Sequence, residues 1–167
     1  MKNLLKRAIK ECLPYAKEGK VASYIPELSK ADPDDFGICI ISKEGKIDRA
    51  GDFDKPFTMQ SVIKPIILLL ALEDMGTERV NELCGVEATG KPFDAFNYSD
   101  RALTSEHINP MINAGAIALC TLIKGENYAV KFERLLALAR KLSGCESLTV
   151  NEAVYKSEKA TGNKNRA

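Results

Sequence analysis

The stretch FGICIIS at 36–42 constrains the fold of this chain more than any other. It is β-branched and apolar on both faces, and the KEGK that follows turns it toward 46–50, which predicts a β-hairpin. Two strands with one apolar surface do not stand alone in water, so the hairpin calls for further strands. None follows convincingly. The periods that come next are helical, at 61–75, about 110–123, about 129–143 and about 150–160. The expected class is therefore α+β, mostly helical after an N-terminal β-hairpin, with an incomplete sheet. At the far end, Thr149 and Glu152 form a capping-box pattern opening the last helix, and ATGNKNRA then stops without a further element. On this reading the chain is expected to be truncated.

A chain of 167 residues, 45% of them hydrophobic, can bury a core of its own. No Ser/Gly- or Pro-rich linker, repeat or low-complexity stretch divides it, so it reads as one domain, with a sheet-side part at about 1–60 and a helical part at about 61–167. The 24 basic and 23 acidic residues leave a formal charge of +1 and are scattered, which gives nucleic acid no electrostatic footprint. Five cysteines, an odd number with no C-x-x-C pair, read as reduced thiols of a cytoplasmic protein. At the N-terminus Leu4, Leu5, Ala8, Ile9, Cys12 and Leu13 share a helical stripe, broken as a signal sequence by Lys6, Arg7 and Lys10. The stripe is short and the chain otherwise neutral, which favours docking on a core over a membrane surface. The apolar run 65–72 is too short to span a bilayer.

That run begins beside the pair most capable of chemistry. Ser61 precedes Lys64 by three residues at the expected start of a helix, so hydroxyl and amine share a face. Val62, Ile63 and Ile66 would partly desolvate the amine, lowering its pKa toward that of a general base, and a helix N-terminus offers N–H groups to a developing oxyanion. The plainer reading is that Ser61 caps the helix and Lys64 snorkels to solvent. Pro65 complicates both, because it cannot donate to the Ser61 carbonyl.

A second cluster is INPMINAGAIALCTLI at 108–123. Asn109 reads as an N-cap with Pro110 at the first helical position, which puts Asn113 in the first turn. Asn113 is then either a local polar group or a recogniser of a primary amide. Ala114, Gly115 and Ala116 leave a turn without bulk, open to a close neighbour such as the Ser61 helix. His107, the only histidine, leaves Ser-His-Asp and Cys-His catalysis one candidate base and zinc binding almost no ligands, and it reads as a surface residue. There is no phosphate loop and no G-x-G-x-x-G. NYSD at 97–100 is read as loop, since no K-T-G follows it. No cofactor is expected.

Taken together, GKVASYIPELSKADPDDFGICI, GDFDKPFTMQSVIKPIILLLALEDMG, GVEATGKPFDAFN, NPMINAGAIALCTLI and VYKSEKATGNKNRA resemble the bacterial-type serine-dependent glutaminases, in order and spacing, over about 19–167. The resemblance implies the fold of the serine β-lactamases and penicillin-binding proteins, whose helical region packs on a sheet with strands from both chain ends. It implies hydrolysis of L-glutamine to glutamate and ammonia by a homo-oligomer. It also implies Ser61 as nucleophile, its N–H forming half of the oxyanion hole, and Lys64 as base partner. Asn113, Glu158 and Asn165 would bind the amino-acid substrate with Ser61. The chain departs from the family in being roughly half its usual length. Tyrosines, a second oxyanion donor and closing strands come later in relatives, so the 167-residue chain alone is expected to be inactive. Met59 and Pro65 also stand where relatives more often carry other apolar residues.

Overall fold

The computed structural model describes residues 2–90, 92–94 and 108–162. They divide into two compact units, one built on 1–58 together with Asn151–Gly162, the other on Met59–Val150.

The first unit holds helix α1 (Lys2–Cys12), the hairpin β1 (Gly37–Ile41) and β2 (Ile47–Gly51), and helix α5 (Glu152–Thr161). The strands pair antiparallel, Gly37 opposite Gly51 through Ile41 opposite Ile47. Ser42 closes the turn, its Oγ accepting from the N–H groups of Glu44 and Lys46. Gly45 there takes φ 78°, which suits a residue without a Cβ. This register puts Ile38, Ile40, Asp48 and Ala50 on one face of the ribbon, and α1 packs against β2 where Asp48 and Ala50 are buried. The other face leaves Cys39 exposed, Ile41 64% exposed and Ile47 49% exposed. The hairpin is the only strand pair among the described residues.

Two sequence expectations are corrected here. The docking stripe of α1 is narrower than read: Leu5 is buried and Ala8 and Ile9 are half-buried, but Leu4, Cys12 and Leu13 face solvent. Pro14 opens a 3-10 turn (Leu13–Glu18) that ends the α-helical phase of the stripe at Cys12. The last helix is capped by Asn151, whose side chain accepts from the Val154 N–H, rather than by Thr149. Ser157 on α5 accepts from the N–H of Glu27 at 3.2 Å, tying this helix to the 3-10 turn Pro26–Lys30.

The second unit packs helices α2 (Lys64–Leu83), α3 (Asn113–Cys120) and α4 (Tyr128–Ser143). Ile67, Leu70, Ala71, Val80, Cys84, Ala114, Leu119 and Leu122 belong to its core. α2 outruns the expected 61–75 span but is interrupted: Gly76 has φ 77° and ψ 169°, open only to glycine, so two helical stretches meet there. Asn127 caps α4 through the Val130 N–H, and Gly144, left-handed at φ 64°, ends it.

An ion pair ties α4 to α2. Arg134 Nη1 and Nη2 donate to Asp74 Oδ2 and Oδ1 at 2.5 and 2.6 Å, and the Lys124 N–H donates to Oδ2 at 2.7 Å. The Asp74 side chain is 7% exposed and that of Arg134 37%. The Arg134 hydrogen bonds hold the Asp74 carboxyl below its ordinary value, so this stability is present above the unfolded carboxylate range and is lost as pH falls through the folded pKa. Asp74→Asn is expected to cost about 1.5–3 kcal/mol near neutral pH, toward the low end because solvent reaches Arg134. Thermal melts of both proteins check this. The gap between them is expected to close on acidification below the usual carboxylate pKa.

Candidate active site

Ser61 and Lys64 do not begin an α-helix together. Gln60–Ile63 form a 3-10 turn, in which the Lys64 N–H donates to the Ser61 carbonyl, and α2 starts at Lys64. This answers the difficulty raised by Pro65. The bond that proline cannot give from i+4 is given from i+3, so the Ser61 carbonyl is satisfied by the tighter turn. The turn is entered through Gln60 at φ 48°, the sole non-glycine residue with positive φ among the described residues. Such a conformation costs an L-residue roughly 1–3 kcal/mol and collects at functional sites.

Ser61 is exposed and its side chain makes no capping bond. Lys64 is the opposite case: only 7% exposed, which overturns the snorkelling reading. Its Nζ donates to the carbonyl oxygen of Met111 at 2.9 Å and to Oδ1 of Asn113 at 2.8 Å, beneath the ring of Phe93 at 5.7 Å from the centroid. Among the described residues no hydrogen bond joins Ser61 Oγ to Lys64 Nζ. Burial pushes the amine below its ordinary value, because desolvation penalises the charged form.

Asn113 reaches Lys64 from the first residue of α3, which begins three residues later than expected. Asn109 is not the N-cap. Its Oδ1 accepts from the N–H groups of Met111 and Ile112, making a local Asx turn, and Ile112, extended at φ −89° and ψ 160°, precedes the helix instead. Asn113 donates its own N–H to the Phe93 carbonyl at 2.9 Å. The small turn of α3 is buried as its composition implies, but the backbone nearest Gly115 is that of Asn109, with Cys84 Sγ of the α2 end donating to the Gly115 carbonyl at 3.5 Å. Burial raises that thiol to about 11, so Cys84 is a packing residue without nucleophilic character.

The second unit thus brings together Ser61, Lys64 and Asn113. Glu158 stands exposed on α5 in the first unit, and Asn165, His107 and the NYSD stretch at 97–100 lie outside the described residues. Sequence reasoning missed the Met111 carbonyl, a backbone atom no residue type announces, and Phe93, which sits in the GKPFD stretch without a periodic or motif signal of its own. Among the described residues no group of His, Cys, Asp and Glu could hold a metal, and no helix is long and apolar enough to cross a membrane.

The glutaminase family model matches residues 19–167. Glutaminase 2 of Clostridium perfringens is 46% identical over 167 residues, covering 100% of this chain and 55% of the relative. The glutaminase of Clostridium tetani is 45% identical with the same coverage. A Bacillus subtilis glutaminase, solved as the covalent complex with 5-oxo-L-norleucine formed by reaction with 6-diazo-5-oxo-L-norleucine, superposes with a TM-score of 0.83 at 31% identity. That match covers 99% of this chain and 50% of the other. The chain spans about half the length of the curated relatives it matches. The expected resemblance holds over the residues that carried it, and the chain belongs to the glutaminase family.

Proposed function

We propose that Ser61 and Lys64 are the nucleophile and base of an amidohydrolase that converts L-glutamine and water to L-glutamate and ammonia. The observation that carries this is the Lys64 amine. A tetrahedral nitrogen has four directions: one goes to its own Cε and two to the Met111 carbonyl and Asn113 Oδ1. In the neutral amine, which burial favours, the fourth is a lone pair. Directed toward the Ser61 hydroxyl, it takes the proton as Oγ attacks the side-chain carboxamide carbon of glutamine. The proton passes to the departing nitrogen, ammonia leaves, and water hydrolyses the glutamyl ester and restores the hydroxyl. The Ser61 N–H, Asn113, Glu158 and Asn165 complete the reading: half of an oxyanion hole, polar partners for the substrate amide and carboxylate, and a carboxylate for its ammonium. The proposed setting is a cytoplasmic homo-oligomer that draws on protein groups alone, with the helices and hairpin as part of a β-lactamase-like fold.

The test is a chimera in which residue 167 is followed by the remainder of the C. perfringens relative. It is expected to release ammonia from L-glutamine and to gain a 5-oxo-L-norleucine adduct, read by intact mass and mapped to the peptide holding Ser61, on exposure to 6-diazo-5-oxo-L-norleucine. A folded chimera that stays unlabelled, or is labelled elsewhere, overturns the assignment. The exposed Ile41 and Ile47 favour a second reading in that event, a non-catalytic chain that associates with another chain through its hairpin.

A further inference from the structure

The acceptors of Lys64 lie on the turn before α3 and on that helix's first residue, and one side chain organises the turn. Asn109 Oδ1 accepts from Met111 N–H at 2.9 Å and Ile112 N–H at 3.3 Å, while its Nδ2 donates to the Glu87 carbonyl at 3.0 Å. The carboxamide therefore bridges the chain after α2 to the turn before α3. The backbone of the same residue is pinned from the other side. A methyl added to Gly115 would stand 2.6 Å from the Asn109 carbonyl carbon and collide with its oxygen, so the close approach depends on a residue with no Cβ. Pro110 has no N–H to offer an alternative bond.

We infer that Asn109 is a positioning residue: by clasping the Met111 and Ile112 N–H groups it holds the Met111 carbonyl and Asn113 Oδ1 where they fix the Lys64 amine. The inference deepens the proposed role of Lys64 as base and rests on that reading for its consequence in catalysis. Removal of the carboxamide leaves the Met111 N–H to find water and the Ile112 N–H with the Asn109 backbone carbonyl at 3.3 Å as its remaining partner, and the turn swings out. Gly115 then acts in the same device, because it lets the Asn109 carbonyl seat against α3. The Asn109 side chain acts on the turn through the N–H groups of Met111 and Ile112, which is why no residue pattern marks it.

The experiment uses the 167-residue chain labelled with 15N-lysine. At mildly acidic pH, where the amine is protonated, the buried and doubly bonded Lys64 ammonium exchanges slowly and gives a resolved 1H–15N correlation, assigned by its absence in Lys64→Met. Asn109→Ala and Gly115→Ala are expected to abolish this correlation while the chain still melts cooperatively. Asn109→Asp, whose carboxylate accepts from the same N–H groups, is expected to keep it, and so is Asp74→Asn, which weakens the same unit elsewhere. Persistence of the signal in a folded Asn109→Ala or Gly115→Ala chain overturns the inference, as does its loss in Asn109→Asp or Asp74→Asn. If Asn109→Ala does not fold, Gly115→Ala decides. Labelling of Ser61 plays no part in this measurement, so failure of the hydrolase reading and failure of the clasp give different results.

Discussion

Replacing Ser61 with alanine in the chimera is expected to remove the adduct with 6-diazo-5-oxo-L-norleucine and to lower ammonia release by roughly 10⁴-fold or more, the scale set by loss of a catalytic serine. Stability is expected to stay within about 0.5 kcal/mol, as for other surface changes, because the side chain is exposed and caps neither the 3-10 turn nor α2. The combination separates nucleophile from cap. A cap lost to alanine lowers the melting temperature and leaves the chemistry alone, whereas a nucleophile lost does the reverse. Ammonia release at the wild-type rate by the alanine variant would end the acyl-enzyme mechanism.

Lys64→Arg is expected to be comparably inactive, and for a different reason. A guanidinium does not give up its proton near neutral pH, so it has no lone pair for the Ser61 hydroxyl, and its planar fork does not match two acceptors arranged about one tetrahedral nitrogen. Labelling rates of the two chimeras check this; a labelled arginine variant would assign the base elsewhere. Lys64→Met adds a reading of the amine itself. The folded pKa of Lys64 is lowered, so below it the protein bears the cost of a buried charge, and that cost is relieved as pH rises through the folded pKa toward the ordinary lysine value. Wild type is therefore expected to gain stability relative to Lys64→Met between about pH 7 and about pH 10, in thermal melts of the 167-residue chain. A difference that does not move over this range would place the amine in water.

What was legible in the sequence follows from what residue types can encode. The hairpin was readable because apolar, β-branched residues followed by a KEGK turn admit few alternatives, and α4 because its apolar residues recur at a helical period over about 129–143. The pairing of Ser61 with Lys64 was readable as spacing. Its setting was not, since the Lys64 amine answers to the Met111 carbonyl and Asn113, 47 and 49 residues away. Asn109 misled for a sharper reason. Asparagine before proline is a good helix cap and an equally good start to an Asx turn, and only the extended backbone of Ile112 decides between them. The break in α2 was half-visible: the helical period read for it ended at Met75, but that helix resumes beyond Gly76 depends on a dihedral angle.

The 3-10 turn also fixes an angular relation. Three residues of α-helix advance the chain by about 300°, so a side chain at i+3 stands about 60° away from the one at i. Three residues of 3-10 helix complete about a full rotation, and the two are eclipsed. In ideal 3-10 geometry a turn such as Gln60–Ile63 directs side chains three apart, as Ser61 and Lys64 are, along nearly one azimuth, about 6 Å apart along the axis at a rise of roughly 2 Å per residue. Pro65, which looked like an intruder beside the motif, is compatible with this winding, because it has no N–H to draw the Ser61 carbonyl into an α-type bond.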